Sequence, residues 1–256
     1  MGNSEKVKIY YIPGSHPCQA VFKAAEIKGI DYKRVVVLPP THRAQMTLMF
    51  GGRTVPAAKI GKERVQGSRA IIRTFESMVP EPALFPGDAA QRERVVAAET
   101  WGDGDFQDSG RRLVWGAMSA FPDSMASFSE GHKLPVPGFV ANWLSAPVIW
   151  AQGKLNKATK EGVRADLERL PKLLDEVDEY IANGVIGGEQ PNAADLQILS
   201  TIWLWRSIGD LRELIDSHPC GQASARLFGE PEGHVPAGAF PAEWLSAINA
   251  SSAVAA

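Results

Sequence analysis

The feature that most constrains this chain is a change of character at the proline-rich run PEPALFPGD, Pro80–Asp88. Before it, short β-branched and aromatic runs alternate with helical patterning; after it, every periodic stretch is helical. Val7–Ile12 is a strand pattern ended by Pro13-Gly14. A helix follows, with Pro17 near its first position, Ala20, Val21, Ala24 and Ala25 on one face, and Gly29 where a helix stops. Val35–Leu38 reads as a second strand closed by Pro39-Pro40, and Ala57–Ile60 as a third. Gly61-Lys62 turns the chain into a fourth strand near Arg64–Val65. Ser68–Ser77 is helical, with Ala70, Ile71, Thr74 and Phe75 at helical spacing.

The order β-α-β-loop-β-β-α, with one parallel crossover and one hairpin, predicts an α/β thioredoxin-like N-terminal domain over residues 1–79. Residues 80–88 are the expected linker, and residues 89–256 an all-α C-terminal domain. There, Ala89–Met118 reads as one long helix, bent around Gly102 and Gly104. Leu167, Leu170, Leu174, Val177 and Ile181 stripe a second helix that Pro171 bends or restarts. Asn192 is the expected N-cap of a third, with Asp195 in its first turn. The tail from Ser246 to Ala256 is expected to fray.

At 256 residues the chain is long enough for two domains. It is 45% hydrophobic and 22% charged, which is globular composition, and its net charge of −2 gives no reason to invoke nucleic acid. Two cysteines, Cys18 and Cys220, are too few for a disulfide scaffold and suit a reducing compartment, so a cytoplasmic setting is expected. The N-terminal residues lack the apolar core of a signal peptide, and Gly2 is not followed by Ser or Thr at position 6. The apolar run Leu134–Ala151, within a proline-rich insertion near 119–152, is about as long as a membrane span. Pro135, Pro137, Pro147, Gly138 and Asn142 make it a poor spanning helix; it reads as a lid-like insertion, with membrane contact through Phe139, Trp143 and Trp150 as the alternative. Five scattered histidines and two distant cysteines make no ligand spacing, so no metal is expected.

The chemistry concentrates in Gly14-Ser-His-Pro-Cys-Gln-Ala-Val21, where strand meets helix. A helix N-terminus presents unpaired N–H groups and partial positive charge, which favour a thiolate. A free thiol is only roughly 3% ionised at neutral pH, and lowering its pKa by about two units raises the reactive fraction some twenty-fold. A serine at this junction can donate a charge-assisted hydrogen bond to a sulfur anion. Taken alone, Ser15 is equally an ordinary helix N-cap, Cys18 a small buried residue, and Tyr11 a strand residue.

Ser15-His-Pro-Cys-Gln-Ala-Val21, followed by Lys28-Gly29-Ile30, resembles the Ser-x-Pro-Cys-Arg-Ala-Val segment of theta-class glutathione transferases, with Gln19 replacing the arginine. The resemblance implies the glutathione transferase architecture, with Ser15 as thiol activator and glutathione or a similar thiol as co-substrate. Cys18 falls where glutaredoxin-type proteins carry the second cysteine of Cys-x-x-Cys, and Tyr11 stands eighteen residues before Gly29, similar to tyrosine-type transferases; both stay open as alternatives. Arg53-Thr54-Val55-Pro56 is similar to the family's Val-Pro turn, a cis peptide that implies backbone pairing by Val55 with the tripeptide and places Thr54 and Arg53 near its glycyl carboxylate. His42, fourteen residues before Pro56, lies where theta-class proteins have a histidine contacting that carboxylate.

Gln66-Gly67-Ser68-Arg-Ala-Ile71 resembles the family's Glu-Ser-x-Ala-Ile, which implies that Ser68 holds the γ-glutamyl carboxylate. The family's acidic residue is Gly67 here, leaving Gln66 as a partial substitute. Gly187–Leu196 is similar to a superfamily segment that caps a core helix, which makes Asp195 structural. The insertion and Val163-Arg-Ala-Asp-Leu resemble type-2 prostaglandin E synthase-like transferases in architecture only. A second-substrate pocket is expected from Trp101, Phe106, Arg112 and Trp115, with the insertion aromatics as lid.

The resemblance implies a homodimer and conjugation of an apolar, small-molecule electrophile, the chemistry of detoxification. A monothiol oxidoreductase using Cys18 and a non-catalytic binding protein are the competing readings.

Overall fold

The computed structural model describes residues 7–38, 41–134, 137, 140, 143–246 and 248. Pro39, Pro40, Pro135, Gly138, Phe139, Asn142 and most of the C-terminal tail, named above, lie outside them. A four-stranded mixed sheet in the order β2-β1-β3-β4 forms the N-terminal part. β1 (Val7–Tyr11) runs parallel to β2 (Tyr32–Val36), pairing Val7 with Tyr32 and Tyr11 with Val36. β3 (Ala57–Ile60) is antiparallel to β1, and β4 (Glu63–Gln66) to β3. Gly61, at φ +57, makes the expected hairpin turn, a conformation that favours glycine.

Small residues explain how α1 (His16–Ile27) lies close to the sheet: Cys18, Ala20, Ala24 and Ala25 are fully buried on its inner face. Val7, Ile9 and Ile60 from the sheet join them and α3 (Ser68–Met78) in the main core. On the opposite face Tyr10, Val37 and Ala57 form a smaller cluster with Met46 of α2 (His42–Phe50). That helix stands where the sequence gives only a loop. It buries only His42 and Met46, so it has no apolar stripe to read. The second strand also begins earlier than Val35, because its parallel register with β1 starts at Tyr32.

The segment from Val79 to Asp88 is tied down rather than slack. Lys28 donates to the carbonyls of Pro80 (3.1 Å) and Pro82 (2.5 Å), and the Leu84 N–H donates to the Glu76 carboxylate at 3.0 Å. The long helix expected over Ala89–Met118 is two helices, α4 (Ala89–Trp101) and α5 (Gln107–Ala120). They are joined by a kink in Gly102–Phe106, where Gly104 leaves helical geometry at φ −99°, ψ −123°. Gly102 permits close packing there, since a Cβ would fall 2.7 Å from the Ile198 side chain.

A 3₁₀ segment (Pro122–Ser129) and α6 (Ser145–Leu155) follow. α7 (Lys160–Ala182) continues unbroken through Pro171, burying Leu167, Leu170, Leu174 and Val177. α8 (Ala193–Trp205) is buried along its whole length and is the centre of the helical part. Its start is the cap expected from sequence: Asn192 accepts from the Ala194 N–H at 2.9 Å while Asp195 accepts from those of Asn192 (2.9 Å) and Gly187 (2.6 Å). Burial pushes the Asp195 carboxyl up to about 6 against those two bonds. α9 (Gly209–Ser217) and α10 (Pro219–Phe228) complete the described helices. No helix among the described residues is long and apolar enough to cross a membrane.

Candidate functional site

A cavity of about 420 Å³ opens where the turn between β1 and α1 faces α5. Ile12–Pro17, His42, Arg43 and Arg53–Val55 form its N-terminal wall. Val114, Trp115 and Met118 of α5, with Met125 and Phe128, form an apolar wall opposite. Gln152, Leu155 and Asn156 close one side from the end of α6.

Ser15 is the N-cap residue of α1 by backbone position: its carbonyl accepts from the Cys18 N–H at 2.9 Å and the Gln19 N–H at 3.1 Å. Its hydroxyl makes no capping bond. The turn before it is held from far along the chain, because the Gly14 N–H donates to the Glu232 carboxylate at 3.1 Å. Gly14 has φ +72° and a Cβ there would lie 2.5 Å from Phe128, so both backbone and packing demand glycine.

The Val55–Pro56 peptide is cis, and Val55 lies on the cavity. The Gln66 amide donates to the Thr54 carbonyl at 2.6 Å, and the Gly67 N–H to the Pro56 carbonyl at 3.0 Å. These bonds join the Gln66–Ser68 corner to the cavity edge without making it lining. Ser68, only 4% exposed, lies 3.2 Å by its hydroxyl from the Gln197 side-chain oxygen and 3.4 Å from the Asp103 carboxylate. Burial raises the Asp103 carboxyl, with Arg69 opposing.

Residues 9–83 match the family model described as the glutathione S-transferase N-terminal domain. Over most of the chain the fold is similar to a glutathione S-transferase from Rhodospirillum rubrum, at TM-score 0.61 and 19% identity, covering 88% of this chain and 89% of that one. It is also similar to the apo theta-class glutathione S-transferase of Xanthomonas axonopodis, at 0.54 and 19%, covering 89% and 94%. The maleylacetoacetate isomerase of Anaeromyxobacter dehalogenans, solved with dicarboxyethyl glutathione and citrate, aligns at 0.54 and 19%, covering 93% and 99%. No curated protein sequence matches the chain.

Residues 9–83 thus match the glutathione S-transferase N-terminal domain, and the chain shares the glutathione S-transferase fold.

Of the residues singled out from sequence, this glutathione S-transferase fold brings Ser15, His42, Arg53, Thr54, Val55 and Trp115 to one cavity. Others are engaged elsewhere. Cys18 is 0% exposed; burial pushes its thiol up to about 12, despite opposing hydrogen bonds with the Ser15 side chain and the Ile12 backbone. Tyr11 is buried, its hydroxyl 2.8 Å from His132 Nδ1, and burial raises its pKa. Trp101 stacks on Phe106 at 4.4 Å, and Phe106 meets Trp205 edge-on, so Phe106 is a core residue and Trp101, half-buried, packs against the core. Arg112 is spent on Asp166, with contacts of 2.5 and 3.0 Å. Trp143 and Trp150 stand exposed.

Sequence reasoning missed Asp103, His132 and Glu232. Asp103 had a local signal in the Gly-Asp-Gly-Asp run that breaks the helix; the other two had none, being 121 and 218 positions from their partners.

Proposed function

We propose that this chain binds glutathione, or a similar low-molecular-weight thiol, beside Ser15 and transfers it to an apolar electrophile. One observation carries the reading. The Ser15 hydroxyl, free of any capping bond, and the Val55 backbone share one cavity with an apolar wall of Val114, Trp115, Met118 and Phe128. A thiol donor and an apolar acceptor can be held side by side there, which converts a bimolecular encounter into a unimolecular step.

Ser15 donates to the sulfur anion, and the thiol proton leaves to solvent. The sulfur then forms the new S–C bond while the electrophile's leaving group departs with its electron pair, or its activated double bond takes up a proton. Arg53 and Thr54, at the cavity edge, suit the glycyl carboxylate; Ser68, buried behind that edge, is assigned the γ-glutamyl carboxylate from its likeness to the family's Ser-x-Ala-Ile motif. Asp103, 3.4 Å from the Ser68 hydroxyl, supplies the negative charge for an ammonium group that Gly67 lacks. The buried Cys18 weighs against a mixed-disulfide mechanism.

A symmetric homodimer, a cytoplasmic setting and a role in detoxification complete the proposal. Two free, buried cysteines are consistent with a reducing compartment. Calorimetric titration with reduced glutathione, followed by a conjugation screen with activated haloarenes and unsaturated carbonyl compounds, tests it. Binding weakened by Ser68→Ala, together with turnover lowered by Ser15→Ala, is the expected result. Absence of both binding and turnover sinks the reading.

A further inference from the structure

Far from the cavity, α7 meets the corner between α9 and α10. Gly221 allows that corner to close: a Cβ there would fall 1.9 Å from the Ile215 carbonyl oxygen. Pro219 opens α10 and leaves His218 extended, at φ −85° and ψ 147°. His218 and Cys220 thereby flank the proline and turn toward Asp178 on α7.

The donor atoms of Asp178, His218 and Cys220 all lie within 4.8 Å of one another. His218 Nδ1 is 2.7 Å from Asp178 Oδ2, and the Cys220 N–H donates to Asp178 Oδ1 at 2.7 Å. Cys220 is fully buried, while the His218 and Asp178 side chains keep 17% and 19% exposure, so the cluster has a closed floor and an accessible rim.

We propose that Asp178, His218 and Cys220 form a zinc-binding site that ties α7 to the α9–α10 corner. The donor set selects the ion. One sulfur, one imidazole nitrogen and one carboxylate oxygen suit Zn²⁺, whereas Mg²⁺ and Ca²⁺ take oxygen ligands. Tetrahedral zinc with bonds of about 2.0–2.3 Å sets its ligand atoms roughly 3.3–3.8 Å apart. The donor atoms, all within 4.8 Å of one another, lie close to that scale, and the Nδ1–Oδ2 pair at 2.7 Å opens by about 0.6 Å on binding.

Binding exchanges the Cys220 thiol proton and the His218 Nδ1 proton for the ion, which cancels the charge of the thiolate and the carboxylate. The Cys220 N–H stays on Asp178 Oδ1 and orients the carboxylate, the support that metal ligands commonly have. Asp175, one turn earlier on α7, adds negative charge acting on His218. Three protein ligands leave the fourth position to water at the rim. Without the ion the same groups pair His218 with Asp178 and cap the start of α10 through the Cys220 N–H.

The test is titration of the purified full chain, stripped with a chelator, with Co²⁺ alone as a spectroscopic probe. A thiolate-to-cobalt charge-transfer band and tetrahedral visible bands saturating at one equivalent, displaced by Zn²⁺, are expected. Cys18→Ser retains them and Cys220→Ser abolishes them. Because Cys220 is buried and its variant can fail to fold, His218→Asn is the second arm, with affinity falling at least about tenfold. No charge-transfer band at millimolar Co²⁺, a band lost in Cys18→Ser, or His218→Asn binding as tightly as wild type overturns the site.

Discussion

Glu232 holds the backbone of Gly14: the carboxylate accepts the glycine N–H at 3.1 Å, one residue before Ser15 and 218 positions away in sequence. The same carboxylate lies 3.5 Å from His132, whose other ring nitrogen is 2.8 Å from the Tyr11 hydroxyl. The C-terminal segment and the residues after the 3₁₀ turn thus fix the strand-to-helix turn that carries the serine. Glu232→Ala removes the acceptor and frees that turn. We expect a stability loss of about 1–2 kcal/mol, since a hydrogen bond to a charged group goes. Turnover should fall while affinity for glutathione changes less. Unchanged turnover, in a variant whose denaturation midpoint has dropped, would show that the Glu232 bond does not govern the turn's geometry.

Ser15 and Cys18 separate by substitution and labelling. Ser15→Ala should lower turnover roughly 10- to 100-fold, the worth of a charge-assisted hydrogen bond, and raise the pH at which bound thiol ionises. Cys18, with its thiol at about 12, should resist alkylation at neutral pH and react only on unfolding. The sign of its stability effect follows from the same shift. The folded pKa lies above the unfolded one, so the contribution is complete below about 8.5 and is lost as pH rises toward 12. Mass spectrometry after exposure to iodoacetamide or oxidised glutathione decides it: an adduct on native Cys18 would revive the oxidoreductase reading.

What the sequence made legible was local. β1, α1, the Gly61 hairpin and the Asn192–Asp195 cap all follow from residues within a few positions of one another, where steric and hydrogen-bonding rules act directly. α2 was invisible because it buries only two residues. Trp101 and Phe106, expected at the pocket from their place on the first long helix, stack on each other instead, Phe106 against Trp205 and Trp101 against Tyr180, contacts that only the tertiary packing of the helices creates. Nothing local marks Glu232, His132 or Asp178, because each acquires its partner only through tertiary folding.

Gly67 and Asp103 make opposite predictions. Gly67 has φ +94° and ψ 141°, a conformation open essentially to glycine, although space for a side chain exists there. Restoring the family's acid by Gly67→Glu should therefore cost about 1–3 kcal/mol of stability and fail to tighten glutathione binding. Asp103→Asn, which keeps the shape and removes the charge, should weaken that binding by roughly tenfold. Calorimetry on both variants checks the pair. Tighter binding by Gly67→Glu, or unaltered binding by Asp103→Asn, would remove Asp103 from the site.

His42 is the pH probe of the cavity. Burial first, and then the neighbouring Arg43, lower its pKa to about 4, so it is neutral at pH 7 and can meet a carboxylate only as a hydrogen-bond donor. Glutathione affinity should therefore show no step near pH 6.5. A carboxylate placed against the ring favours its cation, so tightening is expected only below about pH 5. Stability carries the complementary signature. The folded pKa lies below the unfolded value, so the contribution is complete above about 6.5 and is lost as pH falls through that value toward 4. Denaturant unfolding at pH 7 and pH 5 should show wild type losing more stability than His42→Gln over that interval. An equal loss in both proteins, or an affinity step at pH 6.5 in wild type alone, would mean that the imidazole titrates as an exposed group and binds the carboxylate as a cation.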